Sequence, residues 1–526
     1  MIFSRSQQYL LFSGVLIIIL LSWVLQSTFL LKSDDLWQMN LAQYVLNGKH
    51  YGNDFIEINP PLSIFMYMPA VIISKFFLIS RIVSFKIVMT CYALISIALC
   101  FYFLMKIFRS EDRIMAFFLI LLLPFIFLIL PLYEFGQREN LLVIFAMPYF
   151  LLVVCRLQNS SINLNLQLFS GVMAALGFAL KPFFLIAFVL VECYTVFNLY
   201  KVDEEKKGRL LRAIFRAETI CIIFFVFFYG LAIYVFFDQY LYVVVPIAAH
   251  FYYQSLAEPW TSLIFDYVFC FCLLIMGFQF IHYKKNNHKA LIKILTLTLI
   301  GFLMSYLIQR MRWYYHFLPA FSIALFLFTF QMMHWFSVLS KNKKSILIAC
   351  VVCQAILLFP NALVFLTAKK DEQSKLNVYS VISYLHLNAF HKPVYFISSA
   401  QTGLISDFEE ADAYFSGSIE VDFWMRDFYK KNFFQNMTLQ QKKDSDFLSE
   451  MVARDIDQQK PLLVLVDKYC IVDNVHFGPF DPLYFLNKNK AFYLAWHSYR
   501  YLTTLKKDNV YDYDVYARAN GKLTTS

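Results

Sequence analysis

Along this chain the hydrophobic positions neither alternate nor recur on a single helical stripe. They come in unbroken runs of roughly twenty residues, the length an α-helix needs to cross a bilayer. The first run, Leu10 to Leu31, holds 22 residues without a charge. At about 1.5 Å per residue that is long enough for a hydrocarbon core about 30 Å thick. Ten further runs lie at 87–105, 114–131, 141–155, 164–180, 182–200, 218–237, 262–281, 290–308, 313–335 and 345–366, which predicts eleven spans. A stretch from Pro61 to Ile79 is ambiguous, because it opens with two prolines, contains Pro69 and is interrupted by Lys75. The first run ends in Phe-Leu-Leu-Lys without a small-residue cleavage site, so it is expected to be retained.

Beyond residue 366 the pattern becomes mixed and polar. Strand-like runs are expected at Val394 to Ser398, Leu462 to Val466, Ala491 to Trp496 and Val510 to Ala517, and helices near Leu376 to Leu387 and Phe447 to Ile456. The expected organisation is therefore a membrane domain over 1–366 and an extracytoplasmic α/β domain over 367–526. Composition agrees with the first part: of 526 residues, 60% are hydrophobic and 16% charged, with 59 Phe. A soluble fold of this length could not bury so much apolar surface.

Charge then decides orientation. The net charge of +10 does not indicate a nucleic-acid partner, because the basic residues lie mainly in short connections between apolar runs. If Pro61 to Ile79 does not cross, eighteen Lys and Arg fall on the side of the N-terminus and nine on the other. If it crosses, every later basic connection changes side and breaks the positive-inside tendency. The stretch is therefore expected to lie on the membrane surface or to re-enter it. The N-terminus is then cytoplasmic, and a large first loop and the tail are external. Nine of ten Cys lie in apolar stretches, and the Cys350 and Cys353 pair lies within a predicted span without His, which favours core packing over a metal or redox role.

Every external loop then brings polar residues to one membrane face. The first contributes Asp34, Asp35, Asp54, Glu57 and Asn59; the second contains Arg138 and Glu139; Lys181 precedes the break at Pro182; His250 follows; Arg310, Arg312 and His316 surround the last. Charges at membrane depth are costly unless they face a cavity or each other, so a site is expected on this face. Ordinary roles compete: Arg310 as an interface anchor, Asp54 and Glu57 as turn residues, Tyr314 and Tyr315 as an aromatic belt, and His250 as a loop histidine. The acidic pair is different, because a helix cap needs only one acid. Neighbouring helical residues point about 100° apart, so Asp34 and Asp35 are expected to divide the labour. One would take a proton from an acceptor hydroxyl while the other orients it, pairs with Arg or holds a cation. The basic groups suggest an anionic ligand such as a lipid phosphate.

The order of these features resembles the GT-C superfamily of membrane glycosyltransferases, in particular the branch with protein O-mannosyltransferases and the aminoarabinose transferase of lipid A. The resemblance rests on a first span followed by an acidic pair, the Gly-Lys-His-Tyr-Gly-Asn-Asp-Phe stretch, Asn59-Pro60-Pro61-Leu62, "GQRENLL" and "RMRWYYHFLPA". It covers about the first 330 residues, and the tail agrees only in its position. It implies a polytopic α-helical GT-C fold of about eleven transmembrane helices with interfacial helices in the first external loop and a C-terminal mixed α/β domain. It also implies transfer of a sugar from a polyprenyl-phosphate donor, usually with inversion, to a lipid, glycan or protein acceptor at the outer face. Asp34 or Asp35 would be the base and Glu139 a second acid. Asp54, Glu57, Asn59, Arg138, Lys181, His250, Arg310, Arg312 and His316 are candidates for binding phosphate and acceptor. Relatives often carry Lys or His where Asn59 stands, so another residue must supply that charge.

No cofactor is expected. A Gly-rich phosphate loop is lacking, and a divalent cation near the acids is possible but not favoured. Membrane lipids are the remaining partners, and the short tail and family variant suggest a bacterial cytoplasmic membrane. Two rivals are a polysaccharide polymerase or ligase using lipid-linked sugars, and a transporter or flippase. The first would carry its main external loop between late spans. The second would place polar residues near mid-membrane in paired repeats.

Overall fold

The computed structural model describes residues 4–108, 112–201, 211–252, 257–282, 287–339, 372–399, 403–420, 424–425, 437–472, 475–479, 481–507 and 511–519. The chain is mostly helical, with a mixed sheet towards its C-terminus. It divides into two compact units: Met1–Leu30, Phe65–Ala232 and Ala257–Leu363 form the first, and Leu31–Ile64, Ile233–Leu256 and Val364–Ser526 the second.

The first unit is built on apolar helices. Those that its runs predict are α1 (Arg5–Ser27), α4 (Arg81–Ile107), α5 (Arg113–Pro124, continued by a π turn, Phe125–Ile129), α6 (Arg138–Leu157), α7 (Leu164–Ala179), α8 (Leu185–Lys201), α9 (Ala217–Phe236, whose end passes into the second unit), α10 (Tyr267–His282), α11 (Lys289–Gln309) and α12 (Tyr314–Leu339). Among the described residues seven helices are long and apolar enough to cross a membrane, which fits a multi-pass membrane protein. The predicted runs at 114–131, 164–180 and 262–281 fall on shorter apolar helices, and the run at 345–366, with Cys350 and Cys353, lies outside the described residues. The ambiguous stretch is a helix, α3 (Leu62–Phe77), of 16 residues with Pro69 inside it. At about 24 Å it falls short of a typical hydrocarbon core.

Helix α6 is the centre of this unit. Every residue from Arg138 to Cys155 is buried, and α4, α7, α11 and α12 pack around it. Between helices in lipid the attraction comes from close van der Waals fit, which favours small residues at crossings. Gly301 of α11 shows this: a Cβ there would lie 2.4 Å from Ala187 Cα of α8. Outer helices keep apolar side chains exposed, as with Phe224, Phe227 and Phe228 of α9, which is the surface a lipid solvent requires.

The second unit joins the first loop to the tail. Helix α2 (Ser33–Leu46) buries Ser33 to Ala42. Its Ser33 hydroxyl lies 3.2 Å from that of Ser406, which donates to the Leu31 carbonyl. Trp37 stacks edge-on against Phe415 at 5.9 Å. Tyr44 donates to the Gly417 carbonyl, the Ile56 amide to that of Ser418, and Arg454 to that of Asn53. The loop is therefore folded on the tail.

The tail's sheet holds five strands in the order β2-β1-β3-β7-β6, with β1 (Pro393–Ile397), β2 (Tyr414–Phe415), β3 (Leu463–Asp467), β6 (Tyr499–Lys507) and β7 (Tyr511–Arg518). A separate hairpin pairs β4 (Tyr469–Val472) with β5 (Val475–Pro479). β1 runs parallel to β2 and β3, whereas β7 is antiparallel to β3 and β6. Helices α13 (Glu372–Ala389), α14 (Leu404–Glu410) and α15 (Leu439–Gln459) belong to the same unit. Where a strand is expected over Ala491 to Trp496 the chain forms a helix, α16 (Lys490–Trp496). Asn489 caps it by accepting from the Ala491 and Phe492 amides, and Phe492 stacks on Trp496 one turn away at 5.5 Å. Cap and i,i+4 pair outweigh the strand propensity of the aromatic run.

Candidate active site

In the first unit four helix ends supply one buried cluster. Glu139 lies in the first turn of α6, Lys181 follows the last turn of α7, Gln309 ends α11, and His316 lies in the first turn of α12. The backbone dictates each place. Lys181 precedes Pro182 and is extended, with φ −146° and ψ 138°, because a residue before proline is driven out of the helical region. Gly136, at φ +90°, turns the chain into α6. Its N–H donates to Asn140 Oδ1 at 3.0 Å and its carbonyl accepts from Tyr67 at 2.8 Å.

Lys181 Nζ donates to Glu139 Oε1 at 2.5 Å and to Gln309 Oε1 at 3.3 Å, and stands 5.5 Å from the centre of the Tyr315 ring. His316 Nε2 lies 3.8 Å from Glu139 Oε1, while Nδ1 faces the Met311 carbonyl at 3.3 Å. Because a carbonyl only accepts, Nδ1 carries a proton toward it. The helix ends suit the charges: an anion at the start of α6, and a cation beside the ends of α7 and α11. Glu139 is fully buried, and among the described residues its Oε2 has no hydrogen-bond partner. A buried carboxylate oxygen without a donor is a place for a ligand hydroxyl or amine.

The remaining first-unit candidates have structural ties of their own. Arg138 is buried at the start of α6. Arg310 is the left-handed cap of α11. Its Nη2 donates to the Glu258 carbonyl, its own carbonyl accepts from the Glu258 amide, and its guanidinium lies over Trp260 at 5.0 Å. Arg312 Nε lies 3.4 Å from Asp266 Oδ2. These two arginines are thus tied to the 258–266 stretch.

In the second unit Asp34 and Asp35 occupy the first turn of α2, 7% and 0% exposed. The other loop residues brace this helix. Glu57 accepts from Trp37 Nε1 at 2.8 Å, from the Asn59 amide at 2.7 Å and from Asn59 Nδ2 at 2.5 Å. Tyr51 donates to the carbonyls of Glu57 and Asn59. Asp54 accepts from the His50 amide, a turn contact. His250 sits 2.7 Å from Asp444 of α15. It belongs to a helical segment, Tyr240 to Tyr252, within the connection from Asp238 to Thr261. Pro246 lies in the middle of this segment, just after the π turn Tyr240–Val244.

One polar cluster of the first unit escapes the sequence reading. Arg216 donates to Glu192, which also accepts from Tyr149 and from Thr219 at 3.1 Å. Arg156 pairs with Glu218 at 3.0 Å and Arg216 with the same carboxylate at 3.4 Å. A carboxylate inside an apolar run, as Glu192 is, was the available signal. The arginines look like topology markers until the fold brings them to the acids.

No family model matches the chain, and no curated protein matches it. Among solved structures it is similar to the apo oligosaccharyltransferase of Archaeoglobus fulgidus, at 12% identity over 99% of this chain and 76% of that one, with a TM-score of 0.46.

Proposed function

We propose that the chain is a GT-C-type membrane glycosyltransferase that moves a sugar from a polyprenyl-phosphate donor to a lipid, glycan or protein acceptor at the outer face of a bacterial cytoplasmic membrane. The observation that carries this reading is the burial of two adjacent carboxylates, Asp34 and Asp35, in the first turn of the helix that follows α1. Burying two acids side by side is costly, and such groups are kept where chemistry uses them. The family motif order, with Glu139 and Lys181 paired in the first unit, supports it.

In the reaction one Asp accepts the proton of the acceptor hydroxyl as its oxygen attacks the anomeric carbon. The bond from that carbon to the donor phosphate breaks, and the polyprenyl phosphate leaves. The second Asp orients the acceptor, and the Glu139, Lys181 and His316 centre serves substrate binding. The N-terminus is cytoplasmic and the tail extracytoplasmic in this reading, in line with the excess of Lys and Arg on the N-terminal side. Division into a membrane part to residue 366 and an external part after it is retained as a statement about topology. The test replaces Asp34 and Asp35 separately by Asn and measures transfer from a synthetic polyprenyl-phosphate sugar at matched expression. At least one variant should lose roughly 10²-fold or more, the range for removing a general base. Full transfer by both would end the base assignment.

A further inference from the structure

The second unit holds a cavity of about 600 Å³ lined by the end of β3, by β7 and by the turn after Asp481. The sheet register explains its walls. β7 alternates, with Tyr513, Val515 and Ala517 buried and Asp514 and Tyr516 on the half-exposed face. Asp514 pairs with Val466 and Tyr516 with Val464, so both look out over β3 where that strand ends in Asp467. Crevices at the carboxyl ends of parallel strands are the usual ligand places of such sheets. Facing them, Asp481 caps the short helix Pro482–Leu486, which presents Tyr484, with Asn487 and Lys488 following.

The chemistry of this wall is specific. Asp514 Oδ1 accepts from Thr504 at 2.6 Å and Asp481 Oδ1 from the Tyr484 amide at 3.0 Å, and among the described residues the second oxygen of each accepts no hydrogen bond. Tyr484 is 68% exposed, and Lys488 Nζ lies over its ring at 4.7 Å. The carboxylates are not a cation cage, since among the described residues no three acids, His or Cys converge as metal ligands. Asp481 and Asp514 are balanced by Lys468 and Lys488, so the wall carries no net charge to draw a phosphate or uronate, while Asp467 turns to the opposite face of the sheet, where it accepts from the Ser398 hydroxyl and the Ser399 amide. Planar acceptors, an amide and aromatic rings in one open cleft match a ligand that offers several hydroxyl donors and an apolar C–H face.

We infer that this cleft binds a saccharide, either neutral or carrying amino groups. Its identification with the acceptor's glycan rests on the function proposed above; the binding itself does not. The experiment uses the full chain in nanodiscs and titrates three probes by calorimetry: a neutral gluco-oligosaccharide, an amino-sugar oligomer and a uronic-acid oligomer. Binding of the neutral or amino probe is expected, with the uronate weaker. Tyr484→Ala, which removes an exposed side chain, and Asp514→Asn, which keeps an acceptor for Thr504, should each weaken binding about tenfold. Asp34→Asn and Asp35→Asn should bind as wild type. Binding without transfer refutes the glycosyltransferase reading alone. Absence of binding, preference for the uronate, or wild-type affinity in both cleft variants overturns the inference, whatever the transfer assay shows.

Discussion

Lys181 Nζ lies 2.5 Å from Glu139 Oε1, with both side chains buried and the two residues 42 positions apart in the chain. Removing one partner of such a pair strands the other charge in a poorly solvated site, at a cost of about 3–5 kcal/mol. Lys181→Met and Glu139→Gln should each lower thermal stability in detergent, and the double variant should lose clearly less than the sum. Strict additivity would show that the pair is not coupled.

The loop brace predicts a graded pair of variants. Asn59→Ala loses the 2.5 Å bond to Glu57 and should destabilise the second unit by about 1 kcal/mol. Asn59→Asp places a carboxylate against Glu57 and should do more harm. Hydrogen exchange over residues 47–60 reads both; equal protection in the two variants would refute the brace.

Gly136→Ala should be more damaging than its size suggests. The position has φ +90°, and a Cβ there would meet Phe85 Cζ at 2.2 Å. Because α6 begins two residues later, the strain should move Glu139 and reduce transfer, with unfolding temperature and activity falling together. An alanine variant with normal stability would contradict this.

Asp455 supplies a pH signature. Burial raises its carboxyl to about 6, opposed by the Ser418 hydroxyl and amide that donate to it. A folded value above the unfolded one means that its contribution is fully favourable below about 4 and lost as pH rises through 6. Asp455→Asn, which cannot ionise, should therefore exceed wild type in stability at pH 7 by up to about 3 kcal/mol. The gap should close by pH 4. A gap independent of pH would remove Asp455 as the titrating group.

Much of the helical framework is readable from the sequence because each apolar run is long, local and bounded by charge. The polar helix α2 and the strands at Pro393–Ile397, Leu463–Asp467 and Tyr511–Arg518 are likewise carried by local patterns. Local cues fail where two of them compete, as at α16, where an aromatic run reads as strand until Asn489 caps it. The Tyr499–Lys507 strand escapes for the opposite reason: its alternation is weak, and its partner β7 defines it. Candidate site residues were nameable one at a time, because charge beside an apolar run is visible. Their partners were not: Lys181 with Glu139, His250 with Asp444, and Arg216 with Glu192 are pairings made by packing.

The ties from Tyr44 to Gly417, Ile56 to Ser418 and Asn53 to Arg454 have a practical outcome. A protein shortened to residue 366 would retain the seven described helices long enough to cross a membrane but deprive the carboxylate-bearing segment of the mould that shapes it. Evolution therefore cannot trade this tail for another as a detachable accessory; any replacement must also hold the Asp34–Asp35 turn in place.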